Sequence, residues 1–340
     1  MYKFCLLVLS LIITPQAHAF DQQMLIKVFF NIVQVHTANN SNTDMGLGSG
    51  VIVADNRVLT NCHVLKKAET AWVSQGESNY SVEGVQINGH QDLCLLTTKD
   101  MPLKPADIGS IKDLKTGTEV FAIGHSSGIS APTTSRGQIK ALYPFEGSQI
   151  IRSSARFSMG ASGSGLFDDQ GKLVGINTFK SFGRIAYFYA MPADWIENLK
   201  TLPLQPIAPF AQTAFWEDGE HSPFFLQAAM PEIQNRWPDL LKVSQSWIAS
   251  EPDNAEAWYE QGLAQEGLGL DEAARLSYEK TTALNQRHSD ALFHLGMLAS
   301  KRGDRTEVHK ISIALADIGS EIAEDFNLAT GCDQRTTSDC

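Results

Sequence analysis

From about residue 24 to residue 200, apolar residues come in short runs: GVIVA, VLTN, LCLLTT, EVFAIG, KLVGINTF and IAYFYAM. Turn clusters such as ADNR, QGESN, FEGS and DDQGK separate them. Runs of this length, bounded by Gly, Asp, Asn and Ser, predict β-strands joined by tight turns. Strands at this density with few helical stretches between them predict an antiparallel sandwich or barrel. The span is long enough for two small barrels packed together. Residues 201–222 break the pattern, with prolines at 203, 206 and 209. Proline denies both helix interior and central strand, so this segment is expected to be a linker or a strap lying on the surface.

From about residue 223 the period becomes helical. NAEAWYEQGLAQEGLGLDEAARLSYEKTTALN spaces Trp258, Gly262, Ala274 and Tyr278 for a helix pair turning at GLGLDE. A shift of 34 residues sets Leu292 over Trp258 and Gly296 over Gly262. A 34-residue period with these landmarks resembles the tetratricopeptide repeat, and residues 221–254 resemble a degenerate copy carrying Pro252 near its end. The resemblance implies an all-α stack of helix pairs over residues 223–328, with a concave face that binds a peptide or protein partner. Residues 223–328 hold 17 acidic and 9 basic side chains, so a charged ligand there is expected to be basic.

The opening MYKFCLLVLSLIITPQAHAF has one lysine, an apolar run from Phe4 to Ile13 and the small-residue pattern Ala17-His18-Ala19. That is the layout of a signal peptide covering residues 1–19, and it predicts an exported protein, periplasmic or secreted. The apolar run is short for a bilayer and no later stretch is long enough, so no integral span is expected. The formal charge of -11 argues against nucleic acid as a partner. Cleavage after Ala19 would leave Cys62, Cys94, Cys332 and Cys340. Two disulfides are permitted in an oxidising compartment. Proximity favours Cys332–Cys340 in the tail at residues 329–340, which leaves Cys62–Cys94; two buried free thiols are the alternative. None of the cysteine spacings resembles a zinc site. No metal cluster or nucleotide loop is present in the sequence, and no cofactor is expected.

Serine-based acyl transfer needs a hydroxyl, a neighbouring imidazole, a carboxylate that holds the imidazole in one tautomer, and backbone N–H groups to receive an oxyanion. The segment MGASGSGLFDDQGKLVGINT offers Ser162 between Gly160 and Gly163. RVLTNCHVL offers His63, and NGHQDLCLLTT offers Asp92 at the mouth of a strand. His36, His90, His125 and Asp107 are rivals without supporting context. The G-x-S-x-G elbow of α/β-hydrolases fails, because Ser164 stands at the last glycine position and a strand follows. A lipase or esterase is thereby disfavoured.

The order His63, Asp92, Ser162, together with GLGSGVIVADNRVLTNCHV, DLCLL, VFAIGHSSG, GASGSGLFDDQGKLVGINT and YFYAMPADWIENL, resembles the trypsin-like (chymotrypsin-fold) serine peptidases, most closely their bacterial Deg, or high-temperature-requirement, branch. The resemblance covers about residues 28–200 of a domain placed at 20–200. It implies two six-stranded β-barrels with the triad between them, Ser162 as nucleophile, His63 as general base and Asp92 as its orienting partner. It also implies an oxyanion hole from the N–H groups of Gly160 and Ser162, and a protein or peptide substrate. Three residues depart from the family's serine loop: Ala161, Ser164 and Gly165. The resemblance puts Phe188 in the primary specificity pocket, favouring a small or medium apolar P1 residue, whereas Arg156 could instead select an acidic one. It also puts Ile176, Asn177 and Thr178 at the cleft edge, to pair with extended substrate. No PDZ domain follows the barrels, and no cleavage-activation site is evident near Phe20, so control by loop order or partner binding is expected. The alternative reading is a catalytically inactive, peptidase-like adaptor that acts through its repeats.

Overall fold

The computed structural model describes residues 22–39, 45–181, 186–219 and 221–332. The expected signal peptide lies outside them, as does Cys340 and with it the expected Cys332–Cys340 pairing. A short helix, α1 (Gln22–Phe29), leads into β1 (Ile32–Ala38), β2 (Met45–Ala54) and β3 (Arg57–Thr60). The single-turn α2 (Cys62–Leu65) precedes β4 (Thr70–Gln75), β5 (Ser78–Asn88) and β6 (Leu93–Thr98). These strands close into an antiparallel barrel in the order β1-β2-β3-β6-β5-β4. Alternation explains the inside of this barrel: Val33 and Val35 point into a core with Ile52, Val58, Val73, Val85 and Leu96, while Gln34 and His36 between them stay half-exposed.

The second barrel comprises β7 (Glu119–Gly124), β8 (Thr133–Phe145), β9 (Ser148–Ser153), β10 (Ser164–Asp168), β11 (Leu173–Lys180) and β12 (Phe188–Pro192). It closes as β10-β11-β12-β9-β8-β7. Closure pairs every strand on both sides, which solves the edge problem that two open sheets of this apolar content would face. The barrels press together through Val51, Leu59, Leu93, Phe121, Ile123 and Phe167. The expected double six-stranded barrel is therefore the observed fold.

After α3 (Ile196–Lys200), the proline-rich segment runs back over the first barrel before helices begin: α4 (Phe224–Ile233), α5 (Trp237–Ser250), α6 (Ala255–Gly267), α7 (Asp271–Leu284), α8 (Ser289–Arg302), α9 (Arg305–Ile318) and α10 (Ser320–Thr330). Successive helix starts recur at a fixed interval: Trp237, Asp271 and Arg305 are 34 residues apart, and so are Ala255 and Ser289. The helices dock on the second barrel by stacking aromatics. Phe225 lies 4.3 Å from the Tyr143 ring at an interplanar angle of 10°, and Trp247 closes over both. Burying Phe225 alone contributes about 2–3 kcal/mol. Among the described residues, no helix is long and apolar enough to cross a membrane.

Candidate active site

α2 is one turn long because its neighbours leave it nowhere to go: Asn61 ahead of it is extended, and Cys62 is anchored. Cys62 forms a disulfide with Cys94 of β6, with Cα atoms 4.9 Å apart. The bridge ties the start of the histidine turn to the strand that begins just after Asp92. Asp92 itself adopts φ +55, a left-handed conformation that Asp tolerates better than most residues. That bend turns its carbonyl to accept from Cys62 N–H (3.2 Å) and Asn61 Nδ2 (2.9 Å). Its carboxylate turns toward the histidine. Oδ1 accepts from the His63 backbone N–H at 2.8 Å, and Oδ2 lies 2.7 Å from His63 Nδ1. Asp92 is 1% exposed and the His63 side chain 25%, so the pair is sealed on the carboxylate side and open on the far side of the imidazole. A buried carboxylate given several donors has its lone pairs satisfied. With the proton of the neutral ring placed on Nδ1 facing Asp92, Nε2 is the basic atom.

Ser162 sits in a turn that only glycine can build on its C-terminal side. Gly163 has φ +85, and a Cβ there would lie 2.2 Å from Ser49 O and 2.4 Å from Thr60 Oγ1. This close approach docks the serine turn on Thr60 and Asn61, the residues that lead into α2. Ser49 N–H donates to Ser162 O at 2.8 Å, and Gly163 N–H donates to Asn177 O at 3.0 Å. Gly160, also left-handed at φ +89, has its carbonyl held by the Ser49 hydroxyl at 2.8 Å. No protein hydrogen bond engages the Gly160 or Ser162 N–H among the described residues. Two such donors beside one hydroxyl can receive an oxyanion. Among the described residues no hydrogen bond joins Ser162 to His63, a link that often tightens only when substrate binds. Ser164, a departure from the family's glycine, is accommodated because it faces Gly124 and accepts from Asn177 Nδ2 at 3.0 Å.

The expected specificity residues scatter. Ile176 and Asn177 already pair on both sides, with Gly165 and Ser164 of β10 and with Met191 and Ala190 of β12. Their backbone therefore cannot pair with substrate, which corrects that expectation. The β10-side edge of β11 opens only from Thr178 onward, where pairing with β10 stops. Asn177 instead braces the serine turn, and Thr178 Oγ1 accepts from Asn61 Nδ2 at 2.9 Å, bracing the histidine turn. Phe188 packs edge-on to Phe157 at 5.2 Å. With Arg152, Arg156, Tyr187 and Glu232 it lines a cavity of about 340 Å³ between the second barrel and the helices, a cavity that none of His63, Asp92 and Ser162 lines. Arg156 is exposed there.

The rival histidines and the rival aspartate serve other contacts. His36 is hydrogen-bonded to Ser74 and stacked on Trp72, and burial lowers its pKa. His90 pairs with Glu146 and Asp107 with Lys27. His125 is buried against Ile129 O, and burial again pushes its pKa down. Sequence reasoning missed two residues that the structure brings to the site. Ser49 clamps the serine turn with two hydrogen bonds, to the carbonyls of Gly160 and Ser162. Trp216, from the proline-rich segment, donates its indole N–H to Asp92 Oδ2 at 3.1 Å and stands edge-on to the His63 ring at 5.7 Å. The one available signal for Trp216 was the apolar cluster AFW standing directly before the acidic stretch EDGE.

Comparison with known proteins agrees with this geometry. Residues 48–176 match the trypsin-like peptidase domain model. Anti-sigma-I factor RsgI9 of Acetivibrio thermocellus is 28% identical over 49% of this chain and 24% of its own length. A probable periplasmic serine protease do/HhoA-like of Haemophilus influenzae is 32% identical over 49% of this chain and 38% of its own. The chain thus spans well under half the length of these relatives. Among solved structures, the active form of the Rv3671c protease from M. tuberculosis superposes with a TM-score of 0.50 at 17% identity, covering 63% of this chain and 98% of that one, a likeness of fold. Within the double barrel, residues 48–176 of this chain therefore match a trypsin-like peptidase domain, and the fold around them is the one such proteases share.

Proposed function

We propose that the chain is an exported serine endopeptidase. Ser162 Oγ attacks the scissile carbonyl carbon as His63 Nε2 takes its proton, and Asp92 orients and stabilises the imidazolium. The N–H groups of Gly160 and Ser162 receive the oxyanion. His63 then protonates the leaving amine as the C–N bond breaks, and water hydrolyses the acyl-enzyme by the same route. The observation that carries this reading is the two-point grip of Asp92 on His63, with the serine turn docked on the same element. The β11 edge from Thr178 to Lys180 is open for an extended peptide to pair with. Export is supported by the signal-like N-terminus and by a disulfide beside the site, since such bridges persist in oxidising compartments.

The helices are read as tetratricopeptide-like repeats that hold a protein partner. Support comes from the 34-residue recurrence of helix starts and from an aromatic ring packed on each of the two spaced glycines, Tyr278 of α7 on Gly262 and Phe326 of α10 on Gly296. Labelling of the full chain with a fluorophosphonate probe tests the enzymatic reading. Labelling is expected in the native chain and lost in Ser162→Ala and His63→Ala. Labelling that survives Ser162→Ala, or is absent from the native chain, overturns it in favour of an adaptor.

A further inference from the structure

The segment between the barrels and the helices is not a free linker. Gln205 pairs with Val85 of β5 by two backbone bonds, at 2.8 and 3.0 Å. Phe210 N–H then donates to Lys66 O at 3.2 Å, and Gln212 Oε1 accepts from Gly89 N–H at 2.9 Å. Phe215 N–H donates to His90 O at 3.0 Å, with its ring buried against Phe145 at 4.5 Å. Glu217 closes the run on Lys66 at 2.8 Å. The contacts are not spread evenly over the barrel. Beyond the Val85 pairing they fall on Lys66, three residues past His63, and on Gly89 and His90, just ahead of Asp92. Between them Trp216 enters the cleft. Its ring stacks on Phe179 at 4.9 Å, stands edge-on to His63, and aims Nε1–H at the carboxylate oxygen that also faces His63 Nδ1.

We infer that Trp216 is a positioning residue for the catalytic base, through which the docked strap, and with it the helical domain, sets the competence of the peptidase. The inference rests on the reading of His63, Asp92 and Ser162 as a triad and adds to it. Its physical basis is the carboxylate's demand for donors. Oδ1 is held by a backbone N–H, but Oδ2 faces the imidazole and has one further donor, the indole. Without that donor, a buried lone pair loses its partner, and Oδ2 is no longer anchored in the line that fixes the imidazole. The ring supplies the second half of the grip by closing the cleft on the side of His63 and Phe179. Because the strap joins the barrels to α4, whose Phe225 seats the helices on Tyr143, a partner that shifts the helices would pull on this contact.

The experiment is saturation kinetics of fluorophosphonate labelling on the full chain, resolving the maximal labelling rate from the half-saturating probe concentration. Trp216→Phe keeps the ring and removes the N–H. The expected result is a maximal rate lower by roughly ten- to hundredfold, with half-saturation within about twofold of native. A purely structural role would instead lower the labelled fraction and leave the rate of the folded molecules unchanged. Native rates in Trp216→Phe overturn the inference. Faster labelling in Trp216→Ala also overturns it, since the strap would then be a plug. Should Trp216→Phe not fold, Glu217→Gln decides: it loosens the strap at an exposed ion pair, and a rate lowered about severalfold at unchanged half-saturation supports the inference, whereas a native rate overturns it. Ser162→Ala separates the two readings. If it still labels, the triad reading has failed; if it does not label while Trp216→Phe behaves as native, only the positioning role has failed.

Discussion

Two of the chain's imidazole–carboxylate pairs, one in each half, do opposite things. His63 and Asp92 meet at 2.7 Å with the imidazole open on its outer nitrogen. His288 and Glu256 meet at 3.1 Å, out of line for a hydrogen bond, with side chains 1% and 6% exposed. His288 Nδ1 accepts the Ala291 N–H and so caps α8, while Tyr259 covers its ring at 4.7 Å. Both nitrogens of His288 face protein, and no face of it can meet a substrate. Burial pushes its pKa down, but the Glu256 carboxylate beside it outweighs burial and the net shift is upward. The comparison teaches that a carboxylate beside a histidine is common chemistry, and that access separates the two pairs: the His63 side chain is 25% exposed and that of His288 1%.

The largest test of that contrast is to remove each imidazole. His63→Ala is expected to lower fluorophosphonate labelling at least about 10⁴-fold at near-native stability. His288→Ala is expected to leave labelling per folded molecule within about twofold and to cost about 2–4 kcal/mol of stability, through the lost cap and the orphaned Glu256. Equal effects on labelling would erase the distinction. Asp92→Asn sharpens it by keeping the shape and favouring the wrong tautomer, with an expected loss of about 10⁴-fold in rate and little change in the melting curve. The disulfide has no counterpart at His288. Cys62→Ser with Cys94→Ser should cost about 3–4 kcal/mol by chemical denaturation, given a separation of 32 residues.

The smallest effect is pH dependence at the helix–barrel interface. Burial, above all, raises the pKa of Glu260, with the nearby Glu232 charge adding to it. Burial likewise raises Glu232, against the opposing pull of Arg152. Both carboxyls hold their protons more tightly folded than unfolded. Their contribution is complete below the ordinary carboxylate range and fades as pH rises through the shifted values. The melting temperature should therefore fall between about pH 5 and pH 8, and Glu260→Gln should flatten the fall. A rising curve would contradict the sign.

His63, Asp92 and Ser162 were legible because each sits in a stretch whose local pattern is constrained. The strands around them are short apolar runs bounded by turn residues, and the serine turn needs Gly163 where φ is +85 and a Cβ would collide with Ser49. Ile176 and Asn177 were misplaced because a run such as KLVGINTF announces a strand without saying which of its edges is taken. Ser49 was hidden in GLGSG, which reads equally as a turn and as a strand end; its hydroxyl reaches the Gly160 carbonyl from 111 positions away. Such a contact leaves no period to read.

By itself, then, the sequence determined the two barrels, the change to helices and the three residues that resemble a triad. Each of these is written in neighbours a few positions apart, through pleat, turn and helix period. Only the tertiary structure decided how the proline-rich segment runs. Trp216 reaches Asp92 across 124 positions because Gln205, Phe210, Gln212 and Phe215 dock one after another along the first barrel. Backbone pairing and aromatic burial at distant sites set that path. A proline-rich composition states only that the segment is neither helix nor central strand.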